Sequence, residues 1–299
     1  MTTLKTGLQQ TLEFVNYHLN LPVDHMFLFF DDPTDPAIDL LLHAERLTCV
    51  RCDQQHWQRL GGRPLVSAER QYANADLAWA WAREQHFDWF MHFDSDELLY
   101  LEDSWAAVWA EANSDTPVIR WLPLEAVPEQ EAYQSVFREV SLFKAQVGEQ
   151  PLKAAAAAGL NLPSYEDYFR AHLMGKSTTR TTAQIAHVRS HAPRDAANKK
   201  LPTVISSQAY ILHFDCCDYD SWLAKWTSQY NQQANPRMRP GRRRIYEEFR
   251  AVYEQQDPEL LHQLYRQQFF IAADDQSILQ SHGLLRHISL PPQAFATVA

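Results

Sequence analysis

The 299-residue chain has only four cysteines: Cys49, Cys52, Cys216 and Cys217. Cys49 and Cys52 have the spacing of half a zinc or redox motif, but no second C-x-x-C completes it. Cys216 and Cys217 are adjacent, a poor geometry for two ligands of one tetrahedral ion. The expectation is therefore buried free thiols in a reducing compartment. Also absent is any apolar run long enough to cross a bilayer. Residues Met1 to Gly7 lack the apolar core of a signal peptide, so a cytoplasmic location is expected. Basic charge is in deficit, with 27 Lys and Arg against 37 Asp and Glu and a net charge of −10. That balance argues against wholesale nucleic-acid binding and leaves room only for a local phosphate-binding patch. The sequence contains no internal repeat and no low-complexity linker.

What is present is an ordinary globular composition, 45% hydrophobic and 21% charged. The length suits one large α/β domain or two small ones. The first half alternates in type. Thr2 to Lys5 reads as a short strand, and Leu8, Leu12, Val15 and Leu19 mark the apolar face of a helix that Pro22 ends. His25 to Phe30 reads as a buried strand, stopped by the turn-rich run Asp31-Asp32-Pro33-Thr34-Asp35-Pro36. A helix over Ile38 to Arg46, a strand over Leu47 to Arg51 and a loop with Gly61, Gly62 and Pro64 follow. Ser67 to Gln85 reads as a long helix and Trp89 to Phe93 as a strand. This order predicts an α/β fold with a mostly parallel sheet and covering helices. Strands over Val118 to Trp121 and Ser135 to Phe143 extend it, and strand-like pieces recur near Ser177 to Arg180, Ile185 to Val188 and Ala209 to Phe214. From Asp218 onward the pattern is helical. The expected organisation is a main domain over 1–217 and a helical C-terminal subdomain over 218–299.

The segment from Phe87 to Leu99 carries the chemistry. Its aromatic run ends in Asp94-Ser95-Asp96-Glu97, three carboxylates just past the C-terminal end of a strand. In open α/β sheets that edge is where ligands bind. Closely spaced carboxylates repel unless a cation or solvent separates them. A hard divalent ion, Mg²⁺ or Mn²⁺, relieves the repulsion and keeps positions open for phosphate oxygens. An acidic turn after a core strand explains the same letters. Asp31, Asp32 and Asp35 are open in the same way: nucleotide contacts, or turn formers with Pro33 and Pro36.

The order of these features resembles the GT-A glycosyltransferases, within them the family 2-like and family 92 types. Glu13-Phe14-Val15-Asn16-Tyr17-His18, then Pro22-Val23-Asp24-His25 and the strand to Asp31-Asp32, match the family's opening run. Asn74, Asp88-Trp89 and Asp94-Ser95-Asp96-Glu97-Leu98-Leu99 match its second mark. Ile211-Leu212-His213-Phe214 and the helix with Lys225 match its third. The match spans roughly residues 2 to 230. It departs from the family at Lys5-Thr6-Gly7, where relatives usually carry an acid.

The resemblance implies a GT-A-like fold with a Rossmann-like sheet. It implies metal-dependent transfer of a sugar from a UDP- or GDP-linked donor to a glycan or other hydroxyl acceptor, with inversion. Asp94, Asp96 and His213 would be metal ligands, with Glu97 as a further ligand or orienting group. Asp32, Asp35, Asn74, Asp94, Ser95, Lys176 and Lys225 would contact the nucleotide sugar. His191, near His187, would meet the acceptor or diphosphate. Inversion requires a base near the acceptor hydroxyl. Glu125, Glu129, Glu131, Glu166 and Asp167 lie in the right part of the chain, and Glu125 is the choice. Arg237, Arg239 and the run Arg242-Arg243-Arg244 are further anion partners, with peripheral contact to acidic lipid a weaker option. Two other functions compete: an Asp-x-Asp phosphohydrolase, and a GT-A-like binding protein without activity.

Overall fold

The computed structural model describes residues 1–161, 168–170, 172–189, 191–231, 238 and 240–297. Glu166, Asp167, Arg237 and Arg239 lie outside the described residues. The chain begins β1 (Thr2–Leu4), α1 (Leu8–Asn20), β2 (Met26–Phe30), α2 (Ala37–Leu41), β3 (Leu47–Arg51), α3 (Gln54–Arg59) and α4 (Ser67–Glu84). It continues through β4 (Trp89–Met91), β5 (Glu97–Leu101), α5 (Trp105–Ala110) and β6 (Val118–Val127), then α6 (Val136–Glu139), β7 (Leu142–Ala145) and α7 (Glu149–Ala157). Strands β8 (Lys176–Arg180) and β9 (Thr203–His213) precede four helices, α8 (Tyr219–Asn231), α9 (Pro240–Tyr253), α10 (Pro258–Phe269) and α11 (Ala273–Ser281), and the last strand is β10 (Leu285–His287). No helix among the described residues is long and apolar enough to cross a membrane.

Packing divides the chain into two compact units. The first comprises Met1–Pro123, Leu173–Ile211 and Pro291–Ala299; the second comprises Leu124–His172 and Leu212–Leu290. The expected boundary at 217/218 falls inside the second.

The first unit holds a three-stranded parallel sheet in the order β1-β2-β3. Thr2 pairs with Leu28 and Met26 with Leu47. Parallel neighbours need a crossover, and α1 and α2 supply it. Every residue of β2 is buried, as a strand covered on both faces requires. Phe27, Phe29, Trp57, Ala78, Trp79 and Phe90 form the apolar core around it. The end of β4 meets this sheet through the Phe93 amide, which donates to the Met1 carbonyl (3.0 Å).

The mostly parallel sheet expected from the element order is confined to β1–β3. Strand β4 pairs antiparallel with β8, and β8 antiparallel with the first half of β6. In the second unit the rest of β6 pairs antiparallel with β7, and β7 with β10. After β4 no helix crosses back before the next strand: five residues, His92 to Asp96, lead straight into β5. The architecture is mixed α/β, a parallel sheet together with antiparallel pairing. Helices α8 to α10 close the second unit around Trp222, Trp226, Phe249, Leu264 and Tyr265.

Family-motif residues on α1 have structural partners. The Tyr17 hydroxyl donates to the Leu99 carbonyl (2.7 Å), and the His18 ring bridges the Phe14 carbonyl (2.8 Å) and the Leu99 amide (3.4 Å). They pin β5, and with it the acid turn that precedes β5.

Candidate functional site

The acid turn is built by β4, β5 and the start of β8. The Glu97 amide donates to the Asp94 carbonyl (3.2 Å), closing a β-turn. The Asp94 amide donates to Glu97 Oε2 (2.9 Å). Between the two side chains stands Lys176, whose Nζ lies 2.5 Å from Asp94 Oδ2 and 3.1 Å from Glu97 Oε2. The Lys176 side chain is 1% exposed. Its place follows from register: Trp89 faces Arg180 and Met91 faces Thr178, so the same pairing carried two residues further sets Lys176 opposite Phe93. Asp94 Oδ1 accepts from Gln71 Nε2 (3.2 Å). Burial works against ionisation of Asp94, but the Lys176 ammonium overrides it and holds the carboxyl well below its usual range. Burial also opposes charge on Lys176, and Asp94 and Glu97 more than reverse this, so its pKa is raised.

His92 lies beside this cluster, 2% exposed, with neither ring nitrogen hydrogen-bonded. Burial, and then the Lys176 charge, push its pKa down to about 3, so the ring is neutral. His191 Nδ1 bonds the Gly175 carbonyl (2.7 Å), and Ser177 Oγ donates to the His191 carbonyl (2.8 Å). His191 therefore sits with the segment that carries Lys176. Ser95 and Asp96 occupy the turn itself and are half-buried.

A second carboxylate closes β2. Asp31 is 6% exposed, and both of its oxygens accept from Arg70, Oδ1 from Nε at 2.8 Å and Oδ2 from Nη2 at 3.1 Å. Arg63 adds a bond to Oδ1 at 3.1 Å. Gly61 and Gly62, at φ +90° and +120°, let the chain reverse after α3 and return Arg63 to Asp31. Arg70 and Gln71 are consecutive on α4, so one helix turn holds Asp31 and Asp94 together. A cavity of about 390 Å³ opens here, bordered by Asp31, Cys52, Asp53, Gln54, Trp57 and Arg63. It lies at the C-terminal ends of β2 and β3, where α/β sheets bind ligands. Trp57 is buried, and its Nε1 has no hydrogen-bond partner. A larger cavity of about 490 Å³ includes Met26 and Trp89, the first residues of β2 and β4, and its lining includes Phe27, Phe87, Trp105 and Trp109.

Other expected ligands have different surroundings. Asp32 is exposed and accepts from the Thr34 amide and hydroxyl (2.8 and 2.7 Å), forming a turn. Asp35 lies two residues before α2 and accepts from the amide of its first residue, Ala37 (2.8 Å). Asn74 is fully buried and ties Thr3 Oγ1 (3.1 Å) to His56 Nε2 (2.9 Å). Asp31 takes the position in the cavity wall, although the sequence put Asp32 and Asp35 forward. The signal that singles it out is the pair of arginines 32 and 39 residues away.

The remaining candidates belong to the second unit. His213 ends β9 and lies near Asp215, which is ion-paired with Lys225. Burial works against the Asp215 charge, and Lys225, His213 and Arg242 outweigh it, so its pKa is lowered. Glu125 faces Lys144 across β6 and β7. Its Oε1 is 2.6 Å from Lys144 Nζ and its Oε2 accepts from the Arg170 amide (2.6 Å), with both side chains of the ion pair under 10% exposed. Burial pushes the Lys144 pKa down, against the pull of Glu125.

The chemistry of these donors decides the fit of a divalent ion. Asp94 has one oxygen on an ammonium and the other on an amide, and Glu97 shares that ammonium. Among the described residues, no group of three His, Cys, Asp or Glu side chains is placed to hold a metal. A divalent ion held jointly by Asp94 and Asp96 does not fit this arrangement unless Lys176 leaves.

Comparison with known proteins points one way. The sequence profile of glycosyltransferase family 92 matches residues 4–250. Glycosyltransferase-like At2g41451 of Arabidopsis thaliana is 23% identical over 244 residues, 71% of this chain and 52% of its own length. Glycosyltransferase-like At3g57200 of the same plant is 22% identical over 165 residues, 48% of this chain and 32% of its own. The chain thus spans about half the length of the first of these relatives and a third of the second. Among solved structures, S. aureus TarS 1-349 is similar at a TM-score of 0.35 and 11% identity, over 82% of this chain and 68% of that one. That likeness is too slight to carry an argument.

Proposed function

Because the chain belongs to glycosyltransferase family 92, we propose that it is an enzyme that moves a sugar from a nucleoside-diphosphate donor to a hydroxyl of a glycan or other acceptor, with inversion. One juxtaposition in the first unit supports this most. Arg70 and Gln71, neighbours on α4, hold Asp31 in the wall of the 390 Å³ cavity and Asp94 in the acid turn. On this proposal one helix, α4, backs both the nucleoside and the sugar-diphosphate contacts.

In this reading the nucleobase enters the cavity, where one of its carbonyls accepts from Trp57 Nε1, a buried donor that otherwise goes unsatisfied. Arg63, whose side chain is 52% exposed, turns from Asp31 to meet the diphosphate. Ser95 and Asp96 at the turn bind hydroxyls of the donor. The bond from the anomeric carbon to the diphosphate oxygen breaks as the acceptor oxygen attacks, and the acceptor proton passes to a base. Glu125 is the candidate for that base, and both of its oxygens are engaged within the second unit. Its role is therefore tested: Glu125→Gln that keeps its fold and loses turnover is a base variant, whereas loss of Tm matched by Lys144→Met marks a strut.

The test of the function is a panel of UDP- and GDP-sugars, read by release of UDP or GDP. We expect release from at least one donor, lowered at least about tenfold in Asp96→Ala with Tm unchanged. No binding and no release with any donor would leave a fold without activity. Release of phosphate from monoesters would mark a phosphohydrolase, for which no feature of the site speaks.

A further inference from the structure

Building on the transferase reading, we propose that the cation which the acid turn of the first unit holds is the ammonium of Lys176, in the place of a divalent ion on Asp94 and Glu97. The sequence points to Mg²⁺ or Mn²⁺ at Asp94 and Asp96. The fold delivers a different counter-charge from 82 residues away.

The ammonium occupies the place an ion would need. Nζ is 2.5 Å from Asp94 Oδ2 and 3.1 Å from Glu97 Oε2. A Mg²⁺ or Mn²⁺ on Asp94 would sit about 2.0–2.2 Å from an oxygen of the same carboxylate. Two cations would then share one small anion, and their repulsion weakens the second to bind. The other oxygen is held by Gln71 Nε2 (3.2 Å). Glu97 Oε2 already accepts from the Asp94 amide (2.9 Å) as well as from Lys176.

Lys176 has no easy way out. It is 1% exposed and opens β8, which is paired with β4 on one side and β6 on the other. The residue before it, Gly175, has φ +61°, and a Cβ there would lie 2.0 Å from the Trp121 carbonyl oxygen. The backbone that carries Lys176 is thus locked against β6. Moving the ammonium into water would also leave two carboxylates facing each other across a turn, a costly arrangement without a cation. The acids keep their shape in all steps of the reaction because their counter-ion is covalently attached. A diffusible ion gives no such guarantee.

The experiment measures Mn²⁺ binding to the full chain, with and without UDP, by loss of the free Mn²⁺ resonance signal. Wild type is expected to take up no Mn²⁺ below about 1 mM, and about 1 mM Mn²⁺ is expected to leave its Tm unchanged. Lys176→Met vacates the position, and its Mn²⁺ affinity is expected to rise at least about tenfold, with the gain lost again in Lys176→Met/Glu97→Gln. The proposal falls if wild type binds Mn²⁺ at micromolar concentration and Asp94→Asn abolishes that binding. It falls equally if folded Lys176→Met gains no affinity. Should Lys176→Met fail to fold, the wild-type titration and the Asp94→Asn comparison still decide. These readouts do not use transfer. A failed donor panel beside the expected Mn²⁺ results would remove the transferase reading alone, and Mn²⁺ bound at micromolar concentration beside an active donor panel would remove the lysine assignment alone.

Discussion

Removing the Arg70 guanidinium should unfold the first unit more readily than any other single change at the cavity. Arg70 makes four bonds: two to Asp31, at 2.8 and 3.1 Å, and two from Nη1 to the carbonyls of Pro64 (3.1 Å) and Leu65 (2.9 Å). Asp31 is 6% and Arg70 11% exposed, so Arg70→Met leaves a buried carboxylate. Breaking one side of such a pair costs about 3–5 kcal/mol. Arg63 still reaches Asp31, but from a half-exposed side chain, and pairs of that kind offset about 1 kcal/mol at most. The net expectation is about 2–4 kcal/mol, or a fall in Tm of about 5–15 °C for a cooperative unit of this size. Asp31→Asn/Arg70→Met removes both charges, so it should be more stable than the sum of the single losses by at least about 1.5 kcal/mol. Chemical denaturation followed by circular dichroism, with calorimetry for Tm, measures both. A fall under about 2 °C in Arg70→Met, or simple additivity in the double variant, would mean that water already reaches Asp31 and that the pair is not what closes the cavity wall.

Two further outcomes follow from the same physics. Gly175→Ala places a Cβ 2.0 Å from the backbone oxygen of Trp121 at φ +61°. We expect a loss of at least about 3 kcal/mol, from backbone strain plus a forced separation of β6 and β8, and a fall in Tm read by calorimetry; an Ala variant within about 1 kcal/mol of wild type would refute it. The second concerns acid. Burial lowers the His18 pKa from 6.5 to about 4. The unfolded chain takes up this proton near pH 6.5 and the folded chain near 4, so stability is complete above pH 6.5 and falls as pH drops toward 4. The single ring accounts for up to about 3 kcal/mol. His18→Gln should flatten the dependence of Tm on pH between 6.5 and 4, and an unchanged slope would contradict the assignment.

The local structure was legible where the signal is local. The apolar spacing of Leu8, Leu12, Val15 and Leu19 marks α1, and the aromatic runs before Asp31 and Asp94 mark β2 and β4. The range Ser135 to Phe143 reads as a strand but begins as a turn of helix, α6. There the Ser135 hydroxyl accepts from the Arg138 amide (3.3 Å), and Glu139 returns a bond to the Ser135 amide (2.6 Å). That is a reciprocal cap with the acid one residue later than the S-x-x-E spacing of a capping box, so the sequence does not spell the usual signal and the apolar letters around it prevail. Strand β5 lies beyond the acid turn because Leu98 and Leu99 pack inward while Tyr17 and His18 bind its backbone. Neither partner is near in sequence.

By itself, then, the sequence determined the type and order of most elements, the family, and the placing of three carboxylates at the end of a strand. Periodicity and turn chemistry act over a few residues, so they can be read along the chain. The tertiary structure alone decided what those carboxylates face. A strand shows which of its sides is apolar, but not which strand will lie beside it. Only the antiparallel pairing of β8 with β4 brings Lys176 to Asp94 and Glu97, and only the return of the chain after α3 adds Arg63 to Arg70 at Asp31. Partners chosen by pairing across many residues leave no mark in the letters around them.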